Sequence, residues 1–155
     1  MKAVVFPGSF DPVTNGHLDL IRRACAIFGE VVVLVLPNAA KKTRFSLQER
    51  IDFLKESLAQ DKNVRVEGSQ GLLVDYMKKN GYTTVVRGIR NAHDWNPERT
   101  NVYFNKQLYP QLETVFLPAG EEYQFISSTA IKEAAAGGAD VSPWVPACVA
   151  KELKS

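Results

Sequence analysis

Phe6-Pro7-Gly8-Ser9-Phe10-Asp11-Pro12-Val13-Thr14-Asn15-Gly16-His17 is the stretch on which the reading of the chain turns. Before it stands an apolar run, Ala3-Val4-Val5-Phe6, that reads as a short buried strand. After it, from His17, an amphipathic pattern begins, with Leu18, Ile21, Cys25 and Phe28 at helical spacing. The stretch is therefore a strand-to-helix crossover rich in Gly, Pro and small hydroxyl residues. Such a turn brings backbone N–H groups close to a phosphate, and the helix start adds a favourable dipole. His17 sits near that start, placed to reach a ligand held by the turn. The same residues also suit an ordinary surface turn, so the rest of the chain has to choose.

Beyond the turn the pattern alternates. Residues 31–36 form a continuous apolar run ended by Pro37, as in a strand buried on both faces. Ser46-Leu47-Gln48-Glu49 is a capping box, with Leu47, Ile51, Leu54 and Leu58 as the stripe behind it. Residues 64–66 read as a weaker strand, and 72–79 as a helix ended by Asn80-Gly81. Residues 83–86 are the next strand, 102–108 a helix stopping at Pro110, and 114–117 a fifth strand closed by Pro118. Ser128-Thr129 is expected to cap a helix over 130–136, and 146–153 form a final helix. Strands separated by helices imply crossover connections. The fold expected is α/β, a Rossmann-like doubly wound five-stranded parallel sheet with helices on both faces.

Composition bounds the function. The 155 residues suit one domain spanning 1–155, able to bury roughly two thirds of its unfolded surface. The hydrophobic fraction of 45% and charged fraction of 23% are those of an ordinary globular protein. A net charge of +2 demands neither nucleic acid nor an anionic membrane, and no basic stripe interleaves with aromatics. No apolar run approaches the ~20 residues of a membrane span. Cys25 and Cys148 form no C-x-x-C, and Cys25 reads as a buried thiol. A reducing cytoplasm follows.

In a parallel sheet, ligands bind beyond the carboxyl ends of the strands. Those ends carry Gly8-Ser9-Phe10 and residues 14–17, then Asn38 with Lys41-Lys42, then Gly68, Ser69 and Gly71. Arg87-Gly88-Ile89-Arg90 follows the fourth strand, and Tyr123 with Ser127-Ser128-Thr129 the fifth. The opposite edge holds little beyond Gly29-Glu30, residues 60–63 and Gly81-Tyr82. Cations, hydroxyls and glycines gathered at one edge are what a polyphosphate requires. Each group also has a structural reading. Lys41-Lys42 fits a solvated loop. Arg87 and Arg90 fit ion pairs with Asp94 or Glu98. Ser127-Ser128-Thr129 fits a bare helix cap, and His17 a satisfied helix-start histidine. His93 has no partner at motif spacing and reads as surface. No cluster has the spacing of a protein-held metal or of a Ser-His-Asp triad.

The joint pattern is more specific. Gly8-Ser9-Phe10-Asp11-Pro12, Thr14-Asn15-Gly16-His17, Lys41 with Phe45-Ser46-Leu47-Gln48-Glu49-Arg50, Arg87-Gly88-Ile89-Arg90 and Phe125-Ile126-Ser127-Ser128-Thr129 together resemble the phosphopantetheine adenylyltransferase family. These enzymes belong to the nucleotidyltransferases with a T/H-x-G-H signature. The resemblance runs collinearly from about residue 2 to the C-terminus. It implies transfer of the adenylyl group of ATP to 4′-phosphopantetheine, giving dephospho-coenzyme A and pyrophosphate, the penultimate step of coenzyme A synthesis. It also implies Mg²⁺ bound with the ATP phosphates, and a homohexamer.

Carried across by position, the resemblance implies His17 as transition-state stabiliser, with Lys41 and Arg90 alongside it as catalytic groups. Ser9, Lys41, Leu73 and Arg87 fall on phosphopantetheine positions. Ser9, Phe10, His17, Gly88, Ile89, Arg90, Glu98, Tyr123, Gln124, Phe125, Ile126, Ser127, Ser128 and Thr129 fall on ATP positions. The chemistry is consistent. The nucleophile is an anionic phosphate oxygen that needs no general base, so positioning and charge neutralisation supply the acceleration. Mg²⁺ keeps waters and substrate phosphates as ligands, so a protein cage is not required.

Departures from the family pattern are local. Ser9 stands for the more usual Thr, and Thr129 closes a run that usually ends in Ser; both keep the hydroxyl. Asp94-Trp95-Asn96-Pro97-Glu98 departs further. Pro97 removes an N–H and fixes φ, so a helix is expected to break there, beside Glu98 and the nearby subunit contacts. A related transferase with another phosphorylated acceptor and a non-catalytic nucleotide sensor are the other classes these residues admit. The intact His17, Lys41 and Arg90 argue against the sensor.

Overall fold

The computed structural model describes residues 2–154. Five parallel strands form one sheet in the order β3-β2-β1-β4-β5: β1 Val4–Gly8, β2 Val31–Val35, β3 Val64–Gly68, β4 Thr84–Ile89 and β5 Glu113–Pro118. Between them run α1 Asn15–Phe28, α2 Leu47–Ser57, α3 Leu73–Asn80 and α4 Ala92–Leu108; α5 Ser128–Ala136 and α6 Ala147–Leu153 follow β5. The α/β doubly wound architecture is the one expected.

Side-chain alternation along the strands sorts the core into two layers. On one face Val4, Phe6, Val31, Val33, Val35 and Val86 pack with Ile21 of α1, Leu54 of α2, Ile131 of α5 and Val149 of α6. On the other, Val5, Val32, Leu34 and Val85 pack with Met77 of α3 and Leu112. Every residue of β2 is buried, which accounts for its uninterrupted apolar sequence. Fully burying side chains such as Ile21, Leu34 and Leu54 contributes roughly 1.5–3 kcal/mol each. The expected α2 capping box is present: Ser46 Oγ accepts from the Glu49 N–H at 3.1 Å, and Glu49 returns a carboxylate to the Ser46 N–H at 2.7 Å.

Several boundaries differ from the sequence reading. β1 runs on through Pro7 and Gly8, paired with Leu34 and Val35 of β2. A proline inside a central strand is tolerated here for a specific reason. In a parallel strand the N–H and C=O of one residue point to the same side. The Pro7 carbonyl points at β4, where it accepts from Arg87, so the missing N–H also faces β4. The β1–β4 register is Val5 with Val85, short of Pro7, so no ladder bond is lost. Likewise β4 extends through Arg87 and Gly88 to Ile89, held by β5 partners Phe116, Leu117 and Pro118. Arg87 therefore lies within a strand rather than after one. Cys25 is half-buried, its Sγ donating to the Gly29 carbonyl at 3.5 Å.

The largest correction concerns α4. It begins at Ala92, not Val102, and continues unbroken through Pro97. Proline at the sixth helical position forfeits one bond, to the His93 carbonyl, and the turns on either side survive. Asn91 caps the start, accepting from the N–H groups of His93 and Asp94 at 3.0 and 3.3 Å. No α4 residue is buried; Trp95, Tyr103, Phe104 and Leu108 are exposed.

Candidate active site

Strand order reverses between β1 and β4, and the two strands part beyond Val5. An open cavity of about 340 Å³ lies over the parting, where an open α/β sheet takes its ligands. Its floor is the β1–α1 turn. A Cβ on Gly8 would meet the Phe10 ring at 2.9 Å, so only glycine lets that ring fold back over the strand end. Phe10 itself holds φ at 47°, a left-handed conformation that a side chain adopts only under constraint.

The constraint comes from buried ions. Asp11, 4% exposed, accepts from the N–H groups of Arg44 and Phe45 and from Lys132 Nζ, each at 2.9 Å. Burial raises its carboxyl pKa, but Lys132 and the two backbone N–H groups outweigh that and hold it below the ordinary value. Arg50, 3% exposed, reaches in from α2 to the carbonyls of Ser9 (2.7 Å), Leu36 (3.0 Å), Phe45 (3.2 Å) and Ser46 (3.3 Å). Burial pulls its pKa down while Asp11 opposes this.

His17 is the third residue of α1 and completes a capping box with Thr14. Its N–H donates to Thr14 Oγ1 at 3.3 Å, and its Nδ1 accepts from the Thr14 N–H at 3.0 Å. An Nδ1 that accepts a backbone N–H carries no proton, so the neutral ring holds its proton on Nε2. Phe10 packs edge-on against the ring, centroids 5.1 Å apart. Burial, then the charges of Arg90 and Arg87, depress the His17 pKa to about 4. The group is thus a neutral hydrogen-bond donor at pH 7, not a cation.

The far wall carries the arginines. Arg87 donates from Nε to Glu98 Oε1 at 3.0 Å and from Nη1 to the Pro7 carbonyl at 2.8 Å. Arg90 holds Asp94 through Nε and Nη2 at 3.1 Å each, and Nη1 approaches the Ile126 carbonyl at 3.4 Å. Asp94 lies below its ordinary pKa: burial raises it, and the Arg90 side chain and backbone N–H outweigh that. Gly88 faces α1, where a Cβ would overlap Leu20 Cδ1. The fourth side of the cavity is the N-terminus of α5. The cap is Ser127, not the expected Ser128-Thr129: its Oγ accepts from the Ala130 N–H at 3.0 Å. Ser128 Oγ instead donates to the Pro12 carbonyl at 2.7 Å. The N–H groups of Ser128 and Thr129 stand in the first turn, with no helical carbonyl before them.

Residues 5–134 match the Cytidylyltransferase-like family model. The chain is 46% identical over 153 residues to a phosphopantetheine adenylyltransferase of Dictyoglomus thermophilum, covering 99% of this chain and 93% of that protein. It is 47% identical over 149 residues to one of Thermotoga neapolitana, covering 96% and 92%. One of Heliobacterium modesticaldum is 44% identical over 149 residues, covering 96% and 89%. The chain belongs to the phosphopantetheine adenylyltransferase family.

Of the positions carried over from that family, Ser9, Phe10, His17, Arg87, Gly88, Arg90, Glu98, Tyr123, Ile126, Ser127, Ser128 and Thr129 line the one cavity. Leu73 lines a second, largely apolar pocket of about 260 Å³ on the other sheet face, with Leu36, Leu72, Val102 and Leu108. The two pockets share Pro7, Arg87 and Glu98. Lys41 is exposed and lines neither pocket. Ile89, Gln124 and Phe125 also line neither, and Phe125 is 86% exposed. In this family fold the sequence reading gave no role to the Asp11–Lys132 pair, whose members lie 121 residues apart with no local signal. The apolar periodicity starts α1 at His17, but the Thr14 cap starts it two residues earlier, at Asn15. Among the described residues no group of three His, Cys, Asp or Glu side chains forms a metal site, and no helix is long and apolar enough to cross a membrane.

Proposed function

We propose that this protein transfers the adenylyl group of ATP to 4′-phosphopantetheine, releasing pyrophosphate and dephospho-coenzyme A. The observation that carries the reading is the meeting of two unlike pockets at Arg87. The polar cavity, with Arg90, His17 and the α5 N-terminus, suits a nucleoside polyphosphate. The apolar pocket with Leu73 suits a chain with little charge. A phosphate at the end of that chain would sit at Arg87, beside the cavity.

The chemistry is in-line displacement. An acceptor phosphate oxygen forms a bond to the α-phosphorus of ATP as the bond to pyrophosphate breaks. The nucleophile is already anionic, so no base is needed. Negative charge shifts onto the α-phosphoryl oxygens and the leaving pyrophosphate. Neutral His17 presents its Nε2 proton to the first. Arg90 and the first-turn N–H groups of α5 receive the second. Mg²⁺ would be held by the ATP phosphates and water, where it would neutralise charge, since among the described residues no group of three His, Cys, Asp or Glu side chains forms a metal site. Lys41 joins this set by its family position alone, since it is exposed and lines neither pocket.

The setting follows the family. We place the enzyme in the cytoplasm, with MgATP at hand, as a homohexamer. The exposed Trp95, Tyr103, Phe104 and Leu108 of α4 support self-association. Light scattering on the purified protein gives the subunit number. The activity is tested by incubating the protein with MgATP and phosphopantetheine and identifying products by mass. Pyrophosphate and dephospho-coenzyme A together are expected. Turnover with CTP but not ATP, or with a different phosphorylated acceptor only, would overturn the reading.

A further inference from the structure

We propose that Arg50 is a positioning residue for adenylyl transfer: by fixing the Ser9 carbonyl it turns the Ser9–Phe10 peptide so that the Phe10 N–H faces the bound phosphates. The inference rests on the proposed function. Arg50 lines neither pocket, yet it is the buried group that ties the turn to the sheet.

Four carbonyls converge on its guanidinium from separate places: Ser9 from the β1–α1 turn, Leu36 from the end of β2, Phe45 from the following loop and Ser46 from the α2 cap. Past the ends of β1 and β2 the ladder no longer pairs the Ser9 and Leu36 carbonyls, and one planar cation takes them together with the Phe45 carbonyl and the Ser46 carbonyl, which also accepts the Arg50 backbone N–H at 3.0 Å. The planar guanidinium spreads Nε and Nη1 at fixed angles over all four acceptors, which the compact ammonium of lysine does not reproduce, so lysine is not an equivalent.

The geometry then acts on one peptide. In a trans peptide C=O and N–H point in opposite directions. With the Ser9 carbonyl held on Arg50 at 2.7 Å, the Phe10 N–H points away from Arg50. Ser9 and Phe10 both line the cavity, so that is the side the N–H addresses. At the other end of the turn Asp11 is fixed by Phe45, Arg44 and Lys132. Phe10 is therefore held at φ 47° between two buried ions of opposite charge, and neither ion touches the ligand space directly.

Two measurements decide the matter. In steady-state kinetics with saturating phosphopantetheine, Arg50→Lys is compared with Leu58→Ala, a buried substitution at the far end of α2 that lies outside the cavity. Both should lower the melting temperature. Arg50→Lys alone should lower kcat, by about 10²-fold, with a much smaller change in the KM for MgATP, as expected when a donor is misplaced by about an ångström. A kcat within about twofold of the parent, or an equal fall in Leu58→Ala, would overturn the proposal. The second measurement needs no variant and no turnover. On titration of the unmutated protein with MgATP, the Phe10 amide resonance should shift. If other cavity amides shift and Phe10 does not, its N–H is not a phosphate donor and the proposal fails. Absence of pyrophosphate from the unmutated enzyme would instead count against the proposed activity.

Discussion

The wall built by the β1–α1 turn and α5 keeps its ions buried against its own backbone, whereas the wall built by β4 and α4 keeps its ions in exchangeable pairs. On the first wall Asp11 and Arg50 are almost wholly buried and hold N–H groups, carbonyls and Lys132. What that wall offers a ligand is neutral: hydroxyls, N–H groups and the Nε2 proton of His17. On the second wall Arg87 and Arg90 are about one third exposed and paired with Glu98 and Asp94 of a helix that buries none of its residues. A phosphate can replace either carboxylate without opening the core. One wall is built before the ligand comes; the other is completed by it.

The first way to break this comparison is His17→Ala. If the preformed wall supplies the transition-state donor, kcat falls by roughly 10²–10³ while MgATP binding weakens far less. Calorimetry and steady-state kinetics separate the two. A near-normal kcat with a large rise in KM would make His17 a mere binding group.

Next come the arginines. Arg87→Ala should weaken phosphopantetheine binding about 10- to 100-fold, and Arg90→Ala should do the same chiefly to MgATP, each losing a charged hydrogen-bond partner. Binding titrations at fixed salt read both. Equal losses for both substrates in both variants would leave the arginines as ties to α4 and nothing more.

Removing the α5 cap is a smaller blow. Ser127→Ala should cost about 0.5–2 kcal/mol of stability and weaken the MgATP-induced rise in melting temperature. Ser128→Ala, whose hydroxyl is engaged by Pro12, should loosen the turn instead. If the ligand-induced rise survives Ser127→Ala intact, the run is only a cap.

The pH dependence sharpens the preformed side. The folded pKa of His17, about 4, lies below its unfolded value near 6.5. Between those values the unfolded chain binds a proton that the native state refuses, so the His17 contribution to stability rises with pH and is complete above about 6.5. Denaturation midpoints across that window should lose this slope in His17→Ala. Smallest of all, Glu98→Gln removes the charge that competes for Arg87 and should tighten phosphopantetheine binding by no more than about fivefold. Weaker MgATP binding would make Glu98 a nucleotide contact in its own right.

The alternation of strands and helices, and the crowding of cations and hydroxyls at one sheet edge, were legible because both are carried by local pattern. Strand lengths were not. Pro7 and Arg87–Ile89 look like strand breakers and turn residues, but Leu34 and β5 pair with them and extend the strands. Pro97 misled for the opposite reason: a local rule was applied to a helix whose cap, Asn91, and whose two well-formed ends outweigh one missing bond. The pairs of Arg87 with Glu98 and Arg90 with Asp94 were legible because their members lie close in sequence, whereas Asp11 and Lys132 meet only when the sheet is assembled. Lys41 was placed by motif alone, and a loop's reach is not written in its own residues.

Pro7 has a mechanical meaning as well. A parallel sheet resists shear through its ladder, and here the ladder is thinnest at the middle, where β1 and β4 are in register at Val5 and Val85 and then part. The half made of β3, β2 and β1 and the half made of β4 and β5 are joined beyond that point by the reach of Arg87 to the Pro7 carbonyl. The same guanidinium that would grip an acceptor phosphate is thus a rivet across the seam, so loading the site and stiffening the sheet draw on one side chain.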